Sequence, residues 1–174
     1  MNIENFPLNV ELFYLINHAR SSILDTFFGY FYLLGKGYVL IPIAFILIVS
    51  KNRRWKLFLL SVAVESATVH LLKFGFDAPR PASMLTDVYL LEPLYHRSFP
   101  SGDTAMAFLI ASFFFPVSPP LVRVLLWAYA FLIAYGRIYM GVHFPLDVIA
   151  GATIGALSYK LCERLVHSKL IGWW

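Results

Sequence analysis

The chain has 174 residues, of which 59% are hydrophobic and only 14% are charged, and its formal net charge at pH 7 is +4. This composition excludes an ordinary soluble domain and predicts an all-α, polytopic membrane protein. Because one membrane crossing takes roughly 20 residues, the length allows a single domain over residues 1–174, with a bundle of about six transmembrane helices. The single cysteine, Cys162, excludes a disulfide framework within one chain.

The first part of the chain contains two apolar runs that are separated by a glycine-rich break. Residues 10–17 are mildly amphipathic and are expected to lie on the membrane surface, and apolar runs follow over 23–34 and 38–50. We interpret the break at 35–37 as a tight hairpin between two short spans; the alternative is a flexure within one long tilted helix. Because the first twenty residues lack the basic start of a signal peptide, we expect the N-terminus to be retained.

Four apolar stretches follow, and each is predicted to be a helix: 57–76, 104–115, 121–140 and 146–166. Three prolines between the second and third stretches, Pro116, Pro119 and Pro120, predict a turn there.

Three polar clusters interrupt these apolar stretches: KFGFDAPRP at 73–81, SFPSGDT at 98–104 and GRIYMGVHFPLD at 136–147. With the predicted helices, all three fall at one membrane face. A lysine and two arginines match the charge of a phosphoryl group, a Ser-Gly turn that opens a helix can direct backbone N–H groups at it, and an imidazole can attack it. The candidate site residues are Lys73, Arg80, Ser101, Gly102, Asp103, Arg137, His143 and Asp147.

Basic residues are concentrated on the opposite side, in short connections and in the C-terminal tail. They are Lys51, Arg53, Arg54, Lys56, Arg123, Lys160, Arg164 and Lys169. An excess of lysine and arginine in short loops marks the cytoplasmic side. We therefore expect the site to face the periplasm or the cell exterior.

The three clusters resemble the signature of the type 2 phosphatidic-acid phosphatases, which are membrane relatives of the vanadium haloperoxidases. The matching residues, in order, are Lys73, Arg80, Pro81, Pro100, Ser101, Gly102, Arg137, His143 and Asp147. Two positions depart from the family pattern: Asp103 stands where histidine is usual, and Gly136 where serine is usual. The loss of that serine is expected to leave a backbone donor at Gly136.

The resemblance implies that His143 is a nucleophile, which forms a phosphohistidine that water then hydrolyses, and that Asp147 holds the other ring nitrogen protonated. It also implies a phosphate-binding set that neutralises the phosphoryl oxygens. This set consists of Lys73, Arg80, Arg137, the Ser101 hydroxyl and the N–H groups near Gly102. No cofactor and no metal are implied, and the other histidines show no ligand spacing.

Asp103 replaces the family's histidine, which is thought to protonate the leaving oxygen. Three interpretations stay open: Asp103 is a protonated working acid, it is an engineered substitution that traps an inactive form, or another group such as His96 supplies the proton. Four further polar residues are more simply explained without a catalytic role. A structural hydrogen bond would suffice for Glu65 and His70 within a span, with a functional role as the alternative. His96 and Arg97 are interpreted as solvated loop residues, with contact to substrate head groups as the alternative.

A site at the membrane edge implies a lipid phosphate as substrate and partner, and no nucleic acid. The loop over 77–99 has seven apolar residues that are expected to cover the site and guide lipid chains: Met84, Leu85, Val88, Tyr89, Leu90, Leu91 and Leu94. Small members of the family act in bacterial inner membranes on lipid A 1-phosphate, phosphatidylglycerophosphate or undecaprenyl pyrophosphate, and we favour the first. The alternatives are a lipid phosphotransferase and a binding protein that is disabled at position 103; the oligomeric state is left open.

Overall fold

The computed structural model describes residues 4–167, and within that range every regular element is helical. The helices are α1 (Pro7–Asn17), α2 (Ser22–Phe31), α3 (Leu40–Val49), α4 (Trp55–Phe76), α5 (Pro81–Met84), α6 (Gly102–Phe114), α7 (Pro120–Tyr139) and α8 (Pro145–His167). The predicted all-α class is confirmed. One of the basic residues used to predict orientation, Lys169, lies outside the described residues.

Two segments of the described chain are long and apolar enough to cross a membrane by length and composition alone. They are Trp55–Met84, which contains α4, and Pro120–Tyr139, which is α7. A third span results if the bent pair Ser22–Gly35 and Gly37–Val49 is counted as one. Of the remaining long helices, α6 has 13 residues and α8 has 23.

The glycine-rich break is a bend and not a reversal of the chain. The helical segments on its two sides differ in direction by 54°. The hairpin interpretation is therefore wrong, and the alternative of a flexure within one broken helix describes the chain. A Cβ on Gly35 would lie 3.0 Å from Cγ2 of Ile133 in α7 and 3.4 Å from Cβ of Asp103. The bend is thus packed tightly against the helices of the candidate site.

Helix α1 is part of the bundle and does not lie free on a membrane surface. The buried ring of Phe13 packs against that of Phe144 with a centroid distance of 5.4 Å. At the end of α1, the buried Asn17 amide donates hydrogen bonds to the carbonyls of Tyr89 and Tyr139, both at 2.9 Å. These contacts tie α1 to α7 and to the loop before α6.

Helices α6 and α8 approach each other at backbone distance because α8 places glycines at the contact. A Cβ on Gly151 would clash with the carbonyl oxygen of Ser101, and one on Gly155 with that of Ala105. Small residues four positions apart allow this close approach in membrane proteins. The contact holds the start of α6 against the start of α8, where the N–H of Ser101 donates to the carbonyl of Asp147 at 3.0 Å.

The four longest helices arrange the three polar clusters at one end of the bundle. At this end α4 and α7 finish, while α6 and α8 begin. The basic turn before α4 lies at the other end, where Nη2 of Arg54 donates to the carbonyl of Phe113 at 2.9 Å and to the hydroxyl of Tyr159 at 3.1 Å.

Candidate active site

His143 and Asp147 form a buried pair in the loop that joins α7 to α8 and in the first turn of α8. Nδ1 of His143 lies 3.2 Å from Oδ2 of Asp147. The same oxygen accepts hydrogen bonds from the Ser98 hydroxyl at 2.5 Å and from the N–H of Phe144 at 2.9 Å. Since a carboxylate oxygen only accepts, Nδ1 carries the proton and Nε2 keeps its lone pair.

The surroundings of His143 also keep its imidazole neutral. Only 2% of the residue is exposed, and this burial lowers the pKa of His143 well below 6.5. Asp147 opposes the shift, whereas the charges of Arg80 and Lys73 add to it. A neutral ring with a free Nε2 is the form of histidine that can act as a nucleophile.

Arg80 places a positive charge directly beside this nitrogen. Its Nη1 lies 3.3 Å from Nε2 of His143 and donates to the carbonyl of Val142 at 2.9 Å. The flanking residues Pro79 and Pro81 restrict the backbone around Arg80, which is extended and lies just before the short helix α5. An anionic group that reached Nε2 would therefore contact the guanidinium as well.

Lys73 and the start of α6 contribute further groups of the predicted phosphate-binding set. Nζ of Lys73, in the last turn of α4, donates to the carbonyl of Arg97 at 2.7 Å. The buried Ser101 hydroxyl shares a hydrogen bond of 2.9 Å with the hydroxyl of Thr104 and does not cap the helix. Because α6 begins at Gly102, the N–H groups of its first turn lie before the first intrahelical bond, which suits an anion.

Arg137 belongs to a network of four charged side chains. Nη1 of this almost fully buried residue donates to Oε2 of Glu92 at 2.7 Å, and its Nε lies 3.2 Å from Oδ2 of Asp103. Nζ of Lys36 lies 2.8 Å from Oε1 of Glu92 and 3.5 Å from the same oxygen of Asp103. Asp103 thus faces two cations, as an ion-pair partner of Arg137 and Lys36.

The sequence did not identify Glu92 or Lys36 as site residues. Burial alone would raise the pKa of Glu92, but the charge of Arg137 and the hydrogen bonds from Lys36 and Arg137 lower it, so the group is a carboxylate. In this structure its two oxygens occupy donors that a phosphoryl group could use. Both residues are single charges in otherwise apolar surroundings, a signal that would have pointed to them.

The two polar residues predicted to be structural within α4 line a cavity next to Asp103. Glu65 accepts from the Ser66 hydroxyl at 3.1 Å, and Nδ1 of His70 lies 2.8 Å from the Ser66 carbonyl. The cavity has a volume of about 160 Å³ and is lined by residues of the bend, α4 and α6. Glu65 and His70 thus each have a local hydrogen-bond partner.

The two polar loop residues contribute their backbones to the site. The carbonyl of His96 accepts from Nε of Arg80 at 2.8 Å, while its side chain is exposed. Nε of Arg97 lies 3.7 Å from Oδ1 of Asp77, and its guanidinium covers the ring of Phe74. The apolar loop residues mostly pack inward on the bundle: Met84, Leu85, Val88, Leu90 and Leu94. Tyr89 and Leu91 of the same loop are exposed.

Gly136, where the family has serine, lies inside α7 against an aromatic ring. A Cβ at this position would lie 2.6 Å from Cδ1 of Phe28. Because the N–H of a residue within a helix bonds to the preceding turn, the expectation of a free backbone donor at Gly136 is wrong.

Among the described residues, no three histidine, cysteine or acidic side chains are grouped so that they could hold a metal ion.

Comparisons with known proteins agree with the motif resemblance. Residues 54–170 match the family model of the PAP2 superfamily. The chain is 34% identical over 156 residues to an undecaprenyl-diphosphatase of Sulfolobus acidocaldarius, covering 88% of this chain and 76% of the relative.

Two solved structures have the same architecture. The crystal structure of Aquifex aeolicus LpxE matches with a TM-score of 0.91 at 49% identity, covering 94% of this chain and 99% of LpxE. A PAP2-type phosphatidylglycerolphosphate phosphatase from Bacillus subtilis matches with a TM-score of 0.78 at 24% identity, covering 92% of this chain and 85% of that protein. The chain therefore belongs to the PAP2 superfamily, and is a membrane protein of its lipid phosphatase family.

Proposed function

We propose that this protein hydrolyses a phosphomonoester or pyrophosphate on a membrane lipid through a phosphohistidine on His143, without a metal ion. One observation carries the proposal. Nε2 of His143 lies 3.3 Å from Nη1 of Arg80, while Nδ1 is held by Asp147 at 3.2 Å. A nucleophile and a phosphate-binding cation thus face the same point, at the end of the bundle where α6 begins.

The reaction has two steps. In the first, Nε2 of His143 attacks phosphorus, the N–P bond forms, and the bond from phosphorus to the leaving oxygen breaks. The ring becomes cationic, and Asp147 stabilises it through Nδ1. In the second, water attacks phosphorus, the N–P bond breaks, and inorganic phosphate leaves with the water proton transferred to solvent. Lys73, Arg80 and Arg137 neutralise the equatorial oxygens in both steps.

The ion pairs of Asp103 bear on the proton that the leaving oxygen requires. Oδ2 of Asp103 is engaged in ion pairs, at 3.2 Å from Nε of Arg137 and at 3.5 Å from Nζ of Lys36, and is therefore directed at these two cations. We therefore assign Asp103 to the positioning of Arg137, and the leaving oxygen takes its proton from water. Such a site is suited to leaving groups that are less basic than a simple alkoxide.

This requirement orders the candidate substrates. The 1-phosphate of lipid A leaves a hemiacetal oxygen, and undecaprenyl pyrophosphate leaves a phosphate, whereas phosphatidylglycerophosphate leaves a primary alkoxide. The first two need less help from an acid. We favour lipid A 1-phosphate, in agreement with the similarity to LpxE over 94% of the chain, and place undecaprenyl pyrophosphate second.

The basic turn at the opposite end of the bundle supports a site that faces the periplasm or exterior of a bacterial inner membrane.

Phosphate release by the detergent-purified protein tests this function. We expect release from lipid A 1-phosphate to continue in EDTA and to fall at least about 1,000-fold in His143→Gln, because the covalent route is lost. His70→Gln is the matched control, since its ring is exposed and its hydrogen-bond partner among the described residues is the Ser66 carbonyl. Turnover that survives in His143→Gln would refute the proposal. Binding without any turnover would show the disabled binding protein, and loss of substrate without free phosphate would show a phosphotransferase.

A further inference from the structure

The segment before α1 docks a second carboxyl group onto the start of α8. Glu4 is fully buried, although it lies only a few residues from the N-terminus. Nδ2 of Asn9 donates to the Glu4 carbonyl at 2.8 Å, while Oδ1 of Asn9 accepts from the N–H of Leu146 at 3.0 Å. Asn9 thus connects the segment of Glu4 to the residue next to Asp147.

Among the described residues, no N–H or O–H group of a third residue donates to the side-chain oxygens of Glu4 or to Oδ1 of Asp147. Both Oε atoms of Glu4 and Oδ1 of Asp147 are buried without such a partner. Oδ2 of Asp147, by contrast, receives three donors, from His143, Ser98 and Phe144. The two carboxyl groups lie within hydrogen-bonding reach of each other. Since burial and mutual repulsion disfavour two charged carboxyl groups in contact, a single proton between them would pair one oxygen of Glu4 with Oδ1 of Asp147.

The neighbours of the pair indicate which group keeps this proton. Asp147 has the ring of His143 and two further donors on its other oxygen, and these hydrogen bonds favour its charged form. Burial and the nearby Asp147 raise the pKa of Glu4 to about 10, against the charges of Arg80 and Lys73. Glu4 is therefore the neutral partner at physiological pH.

We propose that Glu4 is a positioning residue for the nucleophile: its neutral carboxyl donates a hydrogen bond to Oδ1 of Asp147 and holds Asp147 as the anion that faces Nδ1 of His143. The pair then carries one negative charge, which balances the one positive charge that the ring gains when the N–P bond forms. Loss of the donor leaves a buried acceptor of Asp147 unpaired and weakens its hold on His143. This inference rests on the proposed function for its kinetic consequence.

Two substitutions separate a donor from a mere space filler. Glu4→Gln keeps an N–H donor of similar size, and Glu4→Ala removes the donor. In phosphate release by the full chain, we expect kcat of Glu4→Gln to stay within about 3-fold of the parent and kcat of Glu4→Ala to fall at least about 10-fold, with KM unchanged in both. Glu11→Gln, which changes an exposed residue of α1, is the matched control.

Three results would each overturn the inference: equal losses of kcat in Glu4→Gln and Glu4→Ala, a change in KM with kcat unchanged, or no loss of kcat in Glu4→Ala. A second measurement does not depend on catalysis. The unfolded chain releases the Glu4 proton near pH 4.5, whereas the folded chain keeps it to about pH 10, so the parent loses stability over this range as pH rises. The Tm of Glu4→Gln should therefore rise relative to the parent with increasing pH. An unchanged Tm difference overturns the inference even if no substrate is turned over, and the expected rise supports a neutral Glu4 even if the proposed function fails.

Discussion

Glu92 occupies a donor of Arg137 that the proposed mechanism needs for phosphate, so its charge should compete with the substrate. The distance from Oε2 of Glu92 to Nη1 of Arg137 is 2.7 Å, and Arg137 is only 1% exposed. A hydrogen bond to a charged group contributes about 1.5–3 kcal/mol, against about 0.5–1.5 kcal/mol for a neutral one. In Glu92→Gln, the hydrogen bond between position 92 and Arg137 should therefore be weaker by about 1–1.5 kcal/mol. An anion that displaces this hydrogen bond should then bind roughly 5- to 10-fold more tightly.

The inhibition constant of orthovanadate, measured on phosphate release by the purified protein, checks this value. We expect it to fall by about 5- to 10-fold in Glu92→Gln. Asp87→Asn is the control, because it removes a carboxylate from the same loop. The side chain of Asp87 is 77% exposed. An inhibition constant that is unchanged in Glu92→Gln would show that Glu92 does not compete with phosphate. A constant that rises would show that Glu92 orients Arg137 for binding, and either result would refute the reasoning.

Three further predictions concern other parts of the site. Asp103→Asn should slow an alkyl phosphate and an aryl phosphate by the same factor, because we assign Asp103 to the positioning of Arg137; a loss confined to the alkyl ester would show that Asp103 donates the proton. Gly136→Ser should lower Tm, with a loss of about 1–3 kcal/mol in the free energy of unfolding, because its Cβ would lie 2.6 Å from Cδ1 of Phe28. The second change Phe28→Leu should recover most of this loss. An unchanged Tm in Gly136→Ser would contradict this packing. The folded chain keeps His143 neutral below pH 6.5, where the unfolded chain binds a proton, so stability should fall as pH drops through this range while kcat/KM holds. His143→Gln should flatten the stability slope, and an acid limb of kcat/KM near pH 6.5 or above would contradict it.

The sequence predicted the long helices closely because their ends coincide with abrupt changes in hydropathy. Residues 57–76 were predicted where α4 covers Trp55–Phe76, and 146–166 where α8 covers Pro145–His167. The bend at Gly35 was misjudged for a physical reason. Two glycines around Lys36 signal an interruption, but its angle of 54° depends on packing against Ile133 in α7, which no local pattern encodes.

The site was predicted only as far as residue type reveals chemistry. His143, Arg80 and Asp147 stand out because such groups are costly in apolar sequence. Glu92 is an isolated charge in apolar sequence, but its place in the site follows from its pairing with Lys36, 56 positions away, and that of Glu4 from its contact with Asp147. Both contacts depend on how the loop and the N-terminal segment close over the end of the bundle, which is tertiary information.

Detection of the phosphorylated enzyme tests the central claim most directly. The purified protein would be mixed with a lipid whose phosphate is radiolabelled, quenched in alkali during turnover, and digested so that the labelled peptide can be identified. We expect a label on His143 that is stable in alkali and lost in acid, and that is absent from His143→Gln. Turnover with no label on His143, or with the label on another residue, would contradict it.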